Sequence, residues 1–158
     1  MAISLKKLLL KILQTKPYIA TFSGTLNSTR SIAANSFEQL DLTRVVGSSD
    51  NRELVSISDG KLVCNYNGMI QLSGSMYCNS MSGETGLYFY RRRGAADEEE
   101  LCNVFGPSTS KSIAPKCVDA QEGDLFYAKF RNRTSAAVTF YPGDKATYVS
   151  VICVEYTN

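Results

Sequence analysis

Apolar and polar residues alternate with a period of two along most of this chain. From Met69 to Cys78 one face reads Ile70, Leu72, Gly74, Met76 and Cys78, and the other Met69, Gln71, Ser73, Ser75 and Tyr77. Successive side chains of a strand point to opposite sides, so this spacing predicts a half-buried antiparallel strand. A slip of one residue would turn its whole apolar face to water. Just upstream, Val55 and Ile57 alternate with Ser56 and Ser58, Asp59-Gly60 supplies a tight turn, residues 62–66 a short strand, and Asn67-Gly68 a second turn. The rest of the chain extends this sheet.

Further strands are predicted on both sides. Residues 18–22 form a short one. Residues 37–46 form another, with Leu40, Leu42 and Val46 on one side; Phe37 is out of phase with them, which predicts a bulge or a late strand start. Residues 86–90 carry aromatic or apolar side chains on both faces, and 101–105 form a short strand. A Ser/Pro loop over 106–115 and the turn Gln121-Glu122-Gly123-Asp124 lead to residues 125–130, where Phe126, Ala128 and Phe130 share one face and Tyr127 and Lys129 the other. Residues 137–141, the turn Pro142-Gly143-Asp144 and a last strand over 147–156 complete the pattern. That last strand has Tyr148, Ile152, Val154 and Tyr156 on one face and Val149, Val151 and Cys153 on the other. A sandwich core covers one face only, so the other predicts a neighbouring chain.

Eight or nine short strands with turns at close intervals make an all-β chain, a β-sandwich of jelly-roll type with a short N-terminal amphipathic helix. An immunoglobulin-like arrangement fits less well, because Trp is absent. The helix is predicted by Leu5, Leu8, Leu9, Ile12 and Leu13, an i, i+3, i+4, i+7, i+8 stripe that Ser4 caps and Pro17 stops, with Lys6, Lys7 and Lys11 off the stripe. About ten residues is too short to be stable alone, so the leucines need a surface to dock on. A signal peptide fits poorly, because Lys11 interrupts the apolar centre. A membrane span is excluded by length. An amphipathic surface anchor competes with docking on a larger assembly. The expected division is an attachment helix over 1–17, a Ser/Thr/Asn-rich connector with one strand over 18–32, and the jelly roll over 33–158.

Composition narrows the function. The chain of 158 residues is one domain's worth, and a net charge of +2 is too small to argue for nucleic acid. With no His, the Ser/His and Cys/His nucleophile pairs and His metal ligands are gone. Cys64, Cys78, Cys102, Cys117 and Cys153 contain no C-x-x-C and are odd in number, which predicts reduced, mostly buried thiols in a reducing compartment; a disulfide is the competing state. The sequons Asn27-Ser28-Thr29 and Asn132-Arg133-Thr134 matter only in a chain secreted from a eukaryote. Arg91-Arg92-Arg93 is separated by a turn from Asp97-Glu98-Glu99-Glu100. A hairpin with oppositely charged arms accounts for this better than a recognition loop, and paired catalytic carboxylates are the least favoured role.

In its motif order the chain resembles the TNF/C1q-like jelly roll, in the form seen in bacteriophage virion proteins. The matching pieces are Asp59-Gly60-Lys61-Leu62, then Asn67 to Ser75, then Leu87-Tyr88-Phe89-Tyr90-Arg91 with Gly94, then Glu122-Gly123-Asp124-Leu125, and Thr147 to Val151. Met69 stands where an aromatic usually follows, and Arg93-Gly94 where Asn-Gly usually closes the strand. The resemblance implies a homotrimer and brings no catalytic residues; the sequence itself assigns no cofactor-binding or metal-ligating residue. Tyr88, Tyr90, Tyr127, Tyr148, Val149, Val151 and Tyr156 are the expected contacts between copies. Leu5, Leu8, Leu9, Ile12 and Leu13 are the expected attachment to other virion proteins, capsid or tail. The expected role is a structural virion component (head fibre, decoration or tail appendage), assembled in the host bacterial cytoplasm. The competing role is a module that binds a host-surface glycan or protein through tip loops.

Overall fold

The long strand at 68–77 is the spine of one sheet. In the computed structural model, which describes residues 18–25, 29–46, 54–79, 84–141 and 148–155, it runs Gly68–Tyr77 and buries Ile70, Leu72, Gly74 and Met76 while Gln71, Ser73, Ser75 and Tyr77 face out. The strands in chain order are β1 (Tyr18–Thr25), β2 (Arg30–Ile32), β3 (Ser36–Leu40), β4 (Arg44–Val46), β5 (Val55–Ser58), β6 (Lys61–Cys64), β7 (Gly68–Tyr77), β8 (Thr85–Arg92), β9 (Glu99–Phe105), β10 (Ser110–Ala120), β11 (Leu125–Asn132), β12 (Val138–Phe140) and β13 (Tyr148–Glu155). The N-terminal helix prediction at 1–17, the Asn27 sequon, the 142–144 turn and Tyr156 lie outside the described residues.

Two antiparallel sheets face each other. One has the order β10-β7-β13-β1-β4; the other runs β5-β6-β11-β8-β9, with β3 also paired to β11. A small pair, β12-β2, closes one end, where Cys78 bridges to Phe140. Apart from the β5–β6 and β8–β9 hairpins, neighbours in the sheets are distant in sequence, as the jelly roll requires. The core lies between the sheets: Ile70, Leu72, Met76, Val149, Val151 and Cys153 from the first meet Leu40, Leu62, Leu87, Phe89, Phe126, Ala128 and Phe130 from the second. Phe130 meets Phe140 edge to face at 4.3 Å.

The turn chemistry carries the predicted logic. Asp59 and Gly60 both have positive φ, 49° and 70°, the conformation a two-residue hairpin turn demands, and they join β5 to β6 in register Ser58 opposite Lys61. Gly68 has a different purpose. A Cβ there would sit 2.0 Å from the Val154 carbonyl oxygen, so only glycine lets β13 close against the start of β7.

Three sequence expectations change. Residues 18–32, read as a connector with one strand, carry two: β1 pairs with β13 over eight residues, from Tyr18 opposite Glu155 to Thr25 opposite Tyr148, and β2 pairs with β12. The expected strand over 37–46 is split between sheets, β3 pairing with β11 and β4 with β1, and the chain crosses at 41–43 with Leu42 buried. No bulge occurs in β3. Phe37 is out of phase because it faces outward, opposite Arg131, while Leu40 faces the core. The Ser/Pro loop over 106–115 is largely strand β10, which pairs with β7 and shifts register between Ile113 and Lys116. Pro115 is tolerated there because β10 is the sheet edge and the shift frees its nitrogen from the ladder.

Candidate functional site: two sheet faces and a charged clamp

The outer face of the six-stranded sheet is a continuous aromatic surface. Tyr127 on β11 stands opposite Tyr90 on β8, Lys129 opposite Tyr88, and Arg131 opposite Gly86. On the flanking strands Phe37 pairs with Arg131 and Phe105 with Gly86. Tyr90 stacks on Tyr127 at 6.0 Å between ring centres, and Tyr88 receives the edges or faces of Phe37 at 5.1 Å and Phe105 at 5.2 Å. Gly86 makes this possible, because a Cβ at that position would meet the Phe105 ring at 2.7 Å. The absent side chain lets the ring lie across β8.

Cations roof these rings. The Lys129 ammonium lies 4.9 Å from the Tyr90 ring centre and 5.4 Å from that of Phe37, and it also binds Glu98. That ion pair, an acceptor bond above all, holds the Glu98 carboxyl below its ordinary pKa. Burial, and then the Glu100 carboxylate that accepts from its hydroxyl at 3.2 Å, push Tyr90 up to about 12. Arg131 sits 5.8 Å from the Phe37 ring centre and Arg133 5.5 Å from that of Phe105. Phe37 and Phe105 remain 41% and 38% exposed.

The opposite sheet presents a different surface. The outward positions of three of its strands are Met69, Gln71, Ser73, Ser75 and Tyr77 on β7, Ser150, Ile152 and Val154 on β13, and Ser110, Ser112, Cys117 and Asp119 on the edge strand β10. Ser73, Ser75, Ser112 and Ser150 leave its centre flat. Met69, Tyr77 and Ile152 are each more than one-third exposed, and Tyr77 packs on Tyr141 at 5.7 Å. The one charged side chain among these twelve positions is Asp119, at the end of the face, where Arg91 and Arg93 bind it.

Charges gather instead at one end, where the basic triplet is absorbed. Arg91 donates from Nε to Glu99 at 2.9 Å across the β8–β9 hairpin and reaches Asp119 on β10. Arg93 grips Asp124 with two bonds, 2.8 and 2.7 Å, and also donates to Asp119. Asp124 is 1% exposed and accepts from the Gln121 amide too, so it ties the β10–β11 turn to the hairpin. Arg93 first, and Arg91 after it, hold the Asp119 carboxyl at about 2. The oppositely charged hairpin predicted from sequence is present, with a cross-strand partner in Asp119 and Asp124 that sequence spacing did not reveal.

The expected contact residues therefore separate. Tyr88, Tyr90 and Tyr127 meet on the aromatic face. Val149 and Val151 lie in the chain's own core, 5% and 1% exposed, and so belong to the sandwich interior. Tyr148 is opposite Ser75 in register on the other sheet. The five cysteines are free thiols: Cys64, Cys78 and Cys153 are buried, Cys102 is half-buried and Cys117 exposed, where its sulfur accepts from Gln71 at 3.4 Å. Among the described residues no cluster of three His, Cys, Asp or Glu is placed to hold a metal, and no helix is long and apolar enough to cross a membrane.

No protein-family model matches the sequence, and no curated protein does. The fold is nevertheless found among solved structures. Eiger TNF from S. frugiperda superposes with a TM-score of 0.63 over 91% of this chain and 95% of that one, at 9% identity. The fold is a TNF-like jelly roll. Murine APRIL matches with a TM-score of 0.65 at 12% identity, over 85% of this chain and 98% of its own. GITRL from bushbaby matches with a TM-score of 0.53 at 13% identity, over 90% and 99%. At such identities the likeness concerns the backbone arrangement and no particular side chain.

Proposed function

We propose that this chain is a non-enzymatic structural component of a bacteriophage virion, a head fibre, decoration or tail-appendage protein, built as a homotrimer and anchored through residues 1–17. The observation that carries the trimer is the outer face of β10, β7 and β13, where charge is confined to Asp119 at one end. Four serines keep its centre flat, and Met69, Tyr77 and Ile152 supply apolar area at its ends. A surface depleted of charge with exposed aromatic and aliphatic side chains is what the centre of a stable interface needs. The aromatic face is less suited to contact between copies, because Lys129, Arg131 and Arg133 would be carried into it.

The virion assignment rests on the motif order and on the leucine stripe Leu5, Leu8, Leu9, Ile12 and Leu13. Five free thiols, three of them deep in the core, suit assembly in a reducing cytoplasm. Mass spectrometry of purified particles tests the assignment: the chain is expected at fixed stoichiometry, and deletion of residues 1–17 is expected to remove it. Particles that lack the chain, or that retain the truncated form at full copy number, would contradict it.

A further inference from the structure

We propose that the face formed by Phe37, Tyr88, Phe105, Arg131 and Arg133 binds a sugar ring that carries a carboxylate. This goes beyond the structural role and does not depend on trimerisation. Tyr88, 5% exposed, forms the floor, and Phe37 and Phe105 rise on either side of it, their centres no more than about 10 Å apart. Each of these outer rings has one guanidinium over it, Arg131 on Phe37 and Arg133 on Phe105. Rigid rings offer flat apolar area to the C–H face of a sugar at little entropic cost, and guanidinium forks match a carboxylate with two parallel hydrogen bonds.

The charge distribution selects this occupant. Among the described residues Lys129, Arg91 and Arg93 are committed to acids, whereas Arg131 and Arg133 form no ion pair. The neighbouring acids are engaged, Glu98 by Lys129 and Glu100 by Tyr90 and Asn103. Two free cations over two exposed rings fit a compact ligand with one negative charge. A polynucleotide needs a stripe of cations along its backbone, and here Glu98 and Glu100 interrupt any such stripe beyond Lys129. A second copy docking by a twofold axis would place Arg131 and Arg133 against like charges.

The test titrates the full-length protein with sialyllactose and trigalacturonic acid, with lactose as the neutral control and a short oligothymidylate as the competing class. Saturable binding of at least one acidic sugar is expected, at least tenfold tighter than lactose, with saturation transfer from protein to the ring C–H protons. Arg131→Gln with Arg133→Gln should weaken it tenfold or more, as should Phe105→Ala; Arg131→Lys with Arg133→Lys, which keeps the charge and loses the fork, should weaken it severalfold. Circular dichroism and the mass of the assembly, measured on the same samples, separate a lost site from a lost fold or trimer, and the lysine variant decides if the glutamine variant does not fold. Equal affinity for lactose, no binding of either acidic sugar, tighter binding of oligothymidylate, or affinity unchanged in a folded arginine variant would each overturn the proposal.

Discussion

At the residue scale, the polar side chain with the densest set of buried hydrogen bonds among the described residues is Asn132. It is fully buried, donates to the carbonyls of Ile32, Ala33 and Ala136, and accepts from the amide and hydroxyl of Thr134. Asn132→Ala leaves several buried groups without partners and should cost about 3 kcal/mol, read as a lower urea midpoint at unchanged slope. The same burial means the Asn132 sequon is inaccessible to glycosylation in the folded chain. The thiols give a pH dependence. Burial pushes Cys64 up to about 12 and Cys153 up to about 11. An unfolded thiol ionises near 8.5, so above roughly pH 9 the unfolded state loses protons that the folded state keeps. The contribution of these thiols should therefore be constant below about pH 8, and stability should fall as pH rises from about 9 to 11. Cys64→Ala with Cys153→Ala should flatten that fall, although it lowers stability at neutral pH by leaving cavities. Native protein should label quickly only at Cys117.

At the element scale, β7 and β13 are held in register by Gly68. Gly68→Ala drives a methyl group into the Val154 carbonyl and should cost about 3 kcal/mol or more, because a backbone atom cannot swing away. The clamp between the β8–β9 hairpin and the β10–β11 turn gives an independent check. Arg93→Ala strands the buried Asp124 carboxylate and should cost about 3 kcal/mol; in a double-mutant cycle with Asp124→Ala the two losses should be far from additive. Asp119 contributes less, since its side chain is 65% exposed. Its folded pKa, about 2, lies below the unfolded value near 3.9, so its contribution is complete above about pH 4 and is lost as pH falls toward 2.

Much of this scale was legible in the chain. The β7 alternation, the shared face of Phe126, Ala128 and Phe130, and the Asp59-Gly60 turn follow from period-two spacing and from the φ that glycine allows. Partners that meet only through topology were not legible. Phe37 looked like a phase error because nothing in its own segment shows that Tyr88, fifty residues on, offers it a second apolar face. Arg93 looked like part of a charged hairpin because Asp124 comes from another turn. Strand β10 was hidden by Pro115, which signals a loop unless the strand is known to be an edge.

At the scale of the whole molecule, the two sheets have outer faces of opposite character, and the proposals assign each a different task. In the proposed trimer the serine-centred face of β10, β7 and β13 packs copies together, and the aromatic, cationic face is left outward. Under the proposed attachment role of residues 1–17, their deletion should leave the melting temperature of the jelly roll nearly unchanged while removing the protein from particles. Light scattering on the purified full-length chain, coupled to size exclusion, tests the central claim most directly, with Ile152→Asp as the paired variant. The account predicts three times the 17.4 kDa chain mass for the wild type and a folded species of one chain mass for Ile152→Asp. A wild-type protein that elutes as a clean monomer at micromolar concentration, or an Ile152→Asp variant that stays trimeric, would contradict it.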